Sequence, residues 1–335
     1  MAKTINIAIN GFGRIGRNLF RILLDHPVIN VVAINDIHDA NSLAHLLKYD
    51  SIHRTLKADV ATEDSGINVN GKFIPLLNFS NPADIPWNEH HVDIVVESSG
   101  QFKTEETLKG HLKEGVKKVI LSVPPQDDNI KMVVLGVNEE ILDGSESIIS
   151  NASCTTNNAA PMLKVIHDHL EVTQAYITTV HSYTSDQSLH DKPHKDLRRS
   201  RAAAQSIIPT TTGAAKALTS IFPDLNDVIG GCGIRVPVPN GSLTDMTLNV
   251  KKETNIEEVN SLFKAASEGQ LKGIIQYTED PIVSVDILDN GHSCVFDAQM
   301  TSVIGGKLVK LIGWYDNEIG YSNRLVDLIS LINDK

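Results

Sequence analysis

A doubly wound α/β domain followed by an α+β domain with a mostly antiparallel sheet is the architecture this sequence predicts, on three observations. The first half alternates short β-branched apolar runs with helical patterns. From about residue 150 the chain turns to longer stretches of strict alternation, and a glycine-rich turn joins its first apolar run to its first helical pattern. Strand–helix alternation calls for a parallel sheet covered on both faces, whereas two-residue periodicity calls for an antiparallel sheet with one face packed.

In the first half the strands predicted are Ile5–Asn10, Val31–Asn35, Asp93–Glu97, Lys118–Ser122, Met132–Gly136 and Ile148–Asn151, with helices over Arg14–His26, Asn41–Tyr49 and Thr104–Gly115. Thr104 suits a helix start because Glu105 and Glu106 follow it, but Thr107 stands three residues on where a capping box would have an acid or amide, so no box is expected. In the second half the strand patterns are Ala175–Val180, Ile234–Val238, Ser242–Val250, Val283–Val285 and the run from Cys294 to Trp314. Helices are predicted over Gly213–Ile221, Asn255–Glu268 and Glu318–Asp334. Between them His181–Ser206 is long, polar, basic and without period, and a loop of that length in a folded domain is usually functional.

The 335 residues suffice for two domains, and 21% charged residues against 41% hydrophobic ones describe an ordinary globular chain. A net charge of -11 argues against a broad nucleic-acid footprint, yet leaves small anionic substrates open, since these need only a few placed cations. Three scattered cysteines make no disulfide framework and point to a reducing compartment. The opening Met-Ala-Lys-Thr-Ile-Asn runs into a strand pattern rather than a signal-peptide region, and no apolar run approaches the ~20 residues of a membrane span. The expectation is a cytoplasmic protein without membrane association.

Gly11-Phe12-Gly13-Arg14-Ile15-Gly16 follows the first strand and opens the first helix, and the acid Asp36 stands at the end of the second strand. Alone this spacing is weak evidence. In this context it predicts a Rossmann-type nucleotide site, with backbone N–H groups approaching a pyrophosphate at the helix N-terminus. Arg14 is read as a pyrophosphate neighbour whose backbone can matter more than its charge. Asp36 would bind the adenosine ribose hydroxyls and repel a 2′-phosphate, which selects NAD over NADP.

Ser153-Cys154-Thr155-Thr156-Asn157 follows a buried strand and precedes a helical stretch reaching Leu170. A cysteine there has helix-terminal N–H groups to stabilise a thiolate and to hold an oxyanion formed on a substrate carbonyl. Pro161 within that stretch predicts a kink or a late helix start. Cys232 and Cys294, in glycine-rich and strand-like surroundings, are read as inert. No His/Cys/Asp/Glu spacing suggests a metal.

Asn151-Ala152-Ser153-Cys154-Thr155-Thr156-Asn157 resembles the active-site segment of the glyceraldehyde-3-phosphate dehydrogenases. The resemblance runs end to end, through Asn10–Arg17, His181-Ser182-Tyr183-Thr184, Thr212-Gly213-Ala214-Ala215-Lys216, Arg235-Val236-Pro237 and Trp314-Tyr315-Asp316-Asn317-Glu318. It implies an NAD-binding domain over residues 1–153 and 317–335 and a catalytic domain over residues 154–316. It also implies that His181, one of 13 histidines and singled out by nothing else, pairs with Cys154 as thiolate–imidazolium and then takes the hydroxyl proton. Thr184 and Arg235 are implied to hold the substrate phosphate, and Ser153, Thr155, Thr212, Gly213 and Arg199 the attacking inorganic phosphate. Which of Arg198, Arg199 and Arg201 points inward is open. Asn317 is implied to fix the nicotinamide carboxamide, with Ser122 lining the same pocket. The loop 181–206 implies a homotetramer, because in the family it packs against a neighbouring subunit's cofactor site. Ile37, Lys192 and Pro193 resemble the NAD-selective members. Asn158 departs from the family, which usually has a second cysteine there; the departure touches oxidative disulfide formation and not catalysis.

The reaction implied is aldehyde addition to Cys154, hydride transfer to NAD and attack of phosphate on the thioester, giving 1,3-bisphosphoglycerate from D-glyceraldehyde 3-phosphate. Within the same fold, an erythrose-4-phosphate dehydrogenase or a non-phosphorylating relative is the alternative, disfavoured by Thr184 and the Thr-Gly-Ala-Ala-Lys segment. A cysteine hydrolase using Cys154 and His181 is disfavoured by the glycine-rich turn, and a nucleic-acid-binding module by the charge.

Overall fold

A nine-stranded sheet organises the N-terminal part of the chain in the computed structural model, which describes residues 4–334. Met1–Lys3 and Lys335, included in the domain expected above, lie outside the described residues. Two units separate: Met1–Val133 with Glu139–Ala152 and Ser322–Lys335, and Val134–Asn138 with Ser153–Tyr321.

In the first unit the sheet order is Lys131–Met132, Ile148–Ser150, Lys118–Leu121, Ile94–Glu97, Ile5–Asn10, Ile29–Asn35, Lys72–Leu77, Gly66–Val69 and Val60–Glu63. All pairs are parallel as far as Lys72–Leu77, and the last two strands join antiparallel. Ile7, Ala8, Ile9, Val95 and Val96 are fully buried, as strands covered on both faces must be. Order reverses at Ile5–Asn10, which lies between Ile29–Asn35 and Ile94–Glu97, so the carboxyl ends of these strands form the topological switch point where such sheets bind ligands. Register brings Asn10 opposite both Asn35 and Glu97 at that end, a polar row closing an otherwise apolar layer.

Several elements depart from expectation. The sequence reading places no strand between residues 50 and 92, but Arg54–Thr55, Val60–Glu63, Gly66–Val69 and Lys72–Leu77 occur, the last two joined at Asn70-Gly71. Both turn residues have positive φ (52° and 81°), the left-handed pair that an Asn-Gly hairpin turn adopts. Met132–Gly136 is not one strand: only Lys131–Met132 pairs, and Val134–Asn138 falls in the other unit. Thr104 does have a capping box, since the Thr107 hydroxyl accepts from the Thr104 N–H while the Thr104 hydroxyl accepts from the Thr107 N–H, each at 3.4 Å. A hydroxyl oxygen can accept in that geometry as an acid would.

The second unit is built on the order Ile208–Thr210, Ile229–Val236, Val172–Ser182, Ser242–Val250, Leu308–Tyr315, Cys294–Asp297 and Ile275–Thr278, with Ser302–Ile304 also paired to Leu308–Tyr315. Pairing is antiparallel except between Val172–Ser182 and Ile229–Val236, and between Ile275–Thr278 and Cys294–Asp297. Helix Cys154–Leu170 packs on Ser242–Val250 and Leu308–Tyr315, whose alternation buries one face against it. That helix begins at Cys154 and runs through Pro161, so the late start does not occur. Val283–Val285 is not a strand. Asp286 accepts the Val283 N–H at 2.8 Å and closes a 3-10 turn over Ser284–Ile287, leaving Val283 and Val285 exposed. No helix among the described residues is long and apolar enough to cross a membrane.

Candidate active site

At the switch point of the first unit, each glycine of the Gly-x-Gly-x-x-Gly turn meets a different demand. Gly11 has φ +90°, and a Cβ there would lie 2.4 Å from the Ser99 nitrogen. At Gly16 a Cβ would lie 2.2 Å from the Gly11 carbonyl oxygen, so strand and helix approach as closely as they do because neither residue has a side chain. Gly13 differs, since a Cβ there would meet nothing within 4 Å. It is the N-cap of helix Arg14–Leu23 and supplies no side-chain cap. Space kept clear in front of a helix N-terminus fits a pyrophosphate.

Phe12 is buried edge-on against Phe20 with ring centroids 5.7 Å apart, which holds the turn in place. Ile15 follows in the helix. Asp36 accepts the Phe12 N–H at 2.7 Å and the His38 N–H at 3.0 Å, so it orders the turn. Arg14 does not present its guanidinium to the turn, because Asp50 holds it in a two-pronged pair. Burial works against ionisation of Asp50, but the bonds from Arg14 and from the His53 and Ile52 N–H groups prevail and hold its carboxyl down to about 2. Ser122, just past Lys118–Leu121, donates its N–H to the Glu97 carbonyl at 3.0 Å and is nearly buried.

Sequence reasoning missed Glu97. Its fully buried carboxylate accepts from Asn10, from the Ser99 N–H at 2.8 Å and from His111 Nε2 at 3.0 Å. Trp87 Nε1 donates to His111 Nδ1 at 3.1 Å, so the ring's proton is on Nε2. An acid ending a buried apolar run was the available signal.

In the second unit Cys154 opens its helix, and the Ser153 hydroxyl caps it by accepting the Thr156 N–H at 3.1 Å. His181 lies at the end of Val172–Ser182, and its Nε2 is 3.6 Å from the Cys154 sulfur. Parallel pairing sets His181 opposite Arg235, so the guanidinium Nη1 stands 2.7 Å from His181 Nδ1 and 3.0 Å from the Ser182 carbonyl. Tyr315, also missed, packs edge-on against the imidazole at 6.0 Å and shares a hydrogen bond of 3.0 Å with Thr155. Cys154 keeps part of its surface exposed, yet burial of the sulfur pushes its thiol up against the pull of Arg235. Burial and then the Arg235 charge push His181 down to about 3. In this arrangement the imidazole is neutral, and the ion pair implied by the resemblance needs the guanidinium charge to be engaged elsewhere.

Two of the expected phosphate ligands, Thr184 and Arg199, bond an acid the sequence reading did not name. Asp186 accepts from the Thr184 hydroxyl and, at 2.7 Å, from Arg199 Nη1. Arg199 also donates to Thr210 at 2.9 Å and to the Thr211 carbonyl at 3.2 Å. It is the inward-facing arginine of the three: Arg201 pairs with Asp191 on the surface and Arg198 is exposed. Thr212 accepts the Ala214 N–H at 3.2 Å, and Gly213 caps helix Ala214–Ile221 with open space where its Cβ would be. Asn317 is buried, with its side-chain oxygen accepting from Ser182 and Ser242 at 2.9 Å each, which orients the amide nitrogen. Asn158, in place of the family's second cysteine, donates to the Ser293 and Trp314 carbonyls at 3.2 Å each. Cys294 is fully buried with its thiol pushed up by burial, as befits an inert residue.

Two family models match this chain: the glyceraldehyde 3-phosphate dehydrogenase NAD binding domain over residues 5–105, and the C-terminal domain of the same enzyme over residues 153–317. Among curated proteins, the chain is 52% identical over 334 residues to glyceraldehyde-3-phosphate dehydrogenase 2 of Streptomyces avermitilis, with 99% of each chain covered. It is 52% identical over 332 residues to the glyceraldehyde-3-phosphate dehydrogenase of Geobacillus stearothermophilus, again with 99% of each covered. The Mycobacterium avium protein of that name is 52% identical over 336 residues, 98% of each.

Proposed function

The chain belongs to the glyceraldehyde-3-phosphate dehydrogenase family, and on that premise we propose that Cys154 is the nucleophile and His181 the acid–base of its reaction. The activity is NAD-dependent oxidative phosphorylation of D-glyceraldehyde 3-phosphate to 1,3-bisphosphoglycerate. The observation that carries the residue assignment is the 3.6 Å approach of His181 Nε2 to the Cys154 sulfur at a helix start, beside Arg235.

The Cys154 sulfur adds to the aldehyde carbon, and the developing oxyanion is met by N–H groups of the first turn of its helix. NAD supplies a hydride acceptor. As hydride leaves the carbon, His181 Nε2 takes the hydroxyl proton and a thioester remains on Cys154. An oxygen of inorganic phosphate then attacks the thioester carbonyl, the carbon–sulfur bond breaks and the thiolate returns. Thr184 and Arg235 hold the substrate phosphate. Ser153, Thr155, Arg199, Thr212 and Gly213 hold the attacking one, as hydroxyl donors and a guanidinium fork suit phosphate oxygens.

Gly11, Phe12, Gly13, Arg14, Ile15 and Gly16 cradle the pyrophosphate by backbone N–H groups, Asp36 takes the ribose, and Ser122 and Asn317 serve the nicotinamide end. Residues 1–153 and 317–335 form the NAD-binding domain and 154–316 the catalytic one, a division supported by the two units, which depart from it at Val134–Asn138 and Asn317–Tyr321. A homotetramer is supported by the loop after His181, where Leu189 and Leu197 are 71% and 80% exposed. Cytoplasmic location is supported by three unpaired cysteines.

The test is NADH formation from glyceraldehyde 3-phosphate with and without phosphate or arsenate. Oxidation should depend on the oxyanion; oxidation that proceeds equally well without either would turn the reading to a non-phosphorylating relative.

A further inference from the structure

Asp36, the acid assigned to the ribose, does not stand alone at its end of the sheet. Its Oδ1 accepts the His38 N–H at 3.0 Å and lies 2.7 Å from His38 Nδ1, while its Oδ2 accepts the Phe12 N–H at 2.7 Å. A carboxylate can only accept, so the bond to the ring puts a proton on Nδ1 and leaves Nε2 as the nitrogen that gains or loses one. The Asp36 side chain is 11% exposed and that of His38 68%, so the imidazole is the member of the pair that meets solvent. Repulsion of a 2′-phosphate by Asp36 therefore depends on this neighbour. With the ring neutral the pair carries one negative charge. With the ring protonated it carries none, and a second N–H donor stands beside the acid.

We propose that His38 is a specificity-determining residue of the cofactor site, which as imidazolium cancels the Asp36 charge and eases entry of a dinucleotide bearing a 2′-phosphate, and as neutral imidazole leaves that phosphate repelled. The inference rests on the reading of Asp36 as the ribose acid and deepens it, since the selectivity assigned to one residue becomes a property of a pair. Histidine is the side chain whose charge ordinarily changes between about pH 5 and 8, so discrimination against NADP falls as pH falls. The sign follows from linkage: a 2′-phosphate favours the protonated ring, so NADP binding takes up a proton at His38 that NAD binding does not. The other acid beside the ring in sequence is Asp39, whose carboxylate is turned to the N–H and hydroxyl of Ser42 at the start of helix Ala40–Lys48. From the glycine turn comes the Phe12 N–H, and from the segment after Lys72–Leu77 the uncharged Asn78, whose amide donates to the Asp36 carbonyl at 3.0 Å. None of these groups is a cation that competes with His38 for the acid.

The test is titration calorimetry of the full-length protein with NAD and with NADP at about pH 6 and about pH 8.5, on either side of the middle of the histidine range. Going to the lower pH, the ratio of Kd for NADP to Kd for NAD should fall about two- to fivefold further in the wild type than in His38→Ala, the size expected of an exposed charge pair. The variant corrects for protonation of the 2′-phosphate itself, which both proteins meet alike. His38→Arg, a cation at either pH, should show the lowered ratio at both. Repeating the titrations at neutral pH in two buffers of different ionisation enthalpy counts protons: NADP should bring more of them into the wild type than into His38→Ala, and NAD the same number into each. Equal changes of the Kd ratio in wild type and His38→Ala, or equal proton uptake with NADP, overturn the proposal. Failure of the underlying reading looks different, because Asp36→Ala would then leave the affinities for both dinucleotides unchanged.

Discussion

Replacing Arg235 by leucine removes a guanidinium that bonds the Ser182 carbonyl and stands against the His181 imidazole, within strand Ile229–Val236. Charge-assisted hydrogen bonds contribute about 1.5–3 kcal/mol each, and each ~1.4 kcal/mol is tenfold in rate, so loss of the phosphate contact should lower kcat/KM for glyceraldehyde 3-phosphate by about one to two decades. Unphosphorylated glyceraldehyde makes no such contact and should lose much less. A second signature follows from the sign of the effect on His181. Its pKa is held near 3 by burial first and Arg235 second, so removing the cation raises it. With the neutral ring as the proposed base, the acid limb of kcat/KM for the unphosphorylated aldehyde should move to higher pH. Both are measured by NADH absorbance at fixed NAD and phosphate, with Tm as the control for folding. Equal losses on the two aldehydes with an unmoved acid limb would show that Arg235 supports the fold or the cofactor rather than the phosphate.

Cys154→Ser should abolish turnover while NAD binding, followed by titration calorimetry, stays largely intact, because only the thiolate is nucleophilic enough at neutral pH; retention of more than a small fraction of turnover refutes it. Asp36→Ala should weaken NAD binding and relax discrimination against NADP, the first effect including loss of the 2.7 Å bond that orders Phe12. An unchanged NAD/NADP ratio of kcat/KM would contradict that role. Gly13→Ala and Gly16→Ala should separate binding from folding. The first adds a Cβ to open space and should raise KM for NAD with little change in Tm, while the second forces a Cβ against the Gly11 carbonyl and should lower Tm by several degrees, a cost of about 1–3 kcal/mol. The reverse ranking in Tm would count against the roles given to these glycines.

Local chemistry was legible wherever a residue's neighbours in sequence are also its neighbours in space. The glycine turn, the helix-start cysteine and the alternation of Ser242–Val250 were of that kind, since strand, turn and helix each follow from a few consecutive residues. The Asn70-Gly71 hairpin was equally local and was missed by neglecting its turn signal, not for lack of one. Thr107 misled because a hydroxyl did the work expected of an acid.

Sequence by itself determined the fold class, the Gly11–Gly16 turn with Asp36, and the candidate nucleophile, because periodicity, turn chemistry and helix-terminal electrostatics are properties of short segments. Only the tertiary structure decided which of three arginines turns inward, that Asp186 and Glu97 belong at the two sites, and that Arg235 lies against His181. Those residues are brought together by strand register and loop packing across 54 positions in the case of His181 and Arg235. Register is set by burial of whole faces, so no local pattern announces which polar side chains it will place side by side.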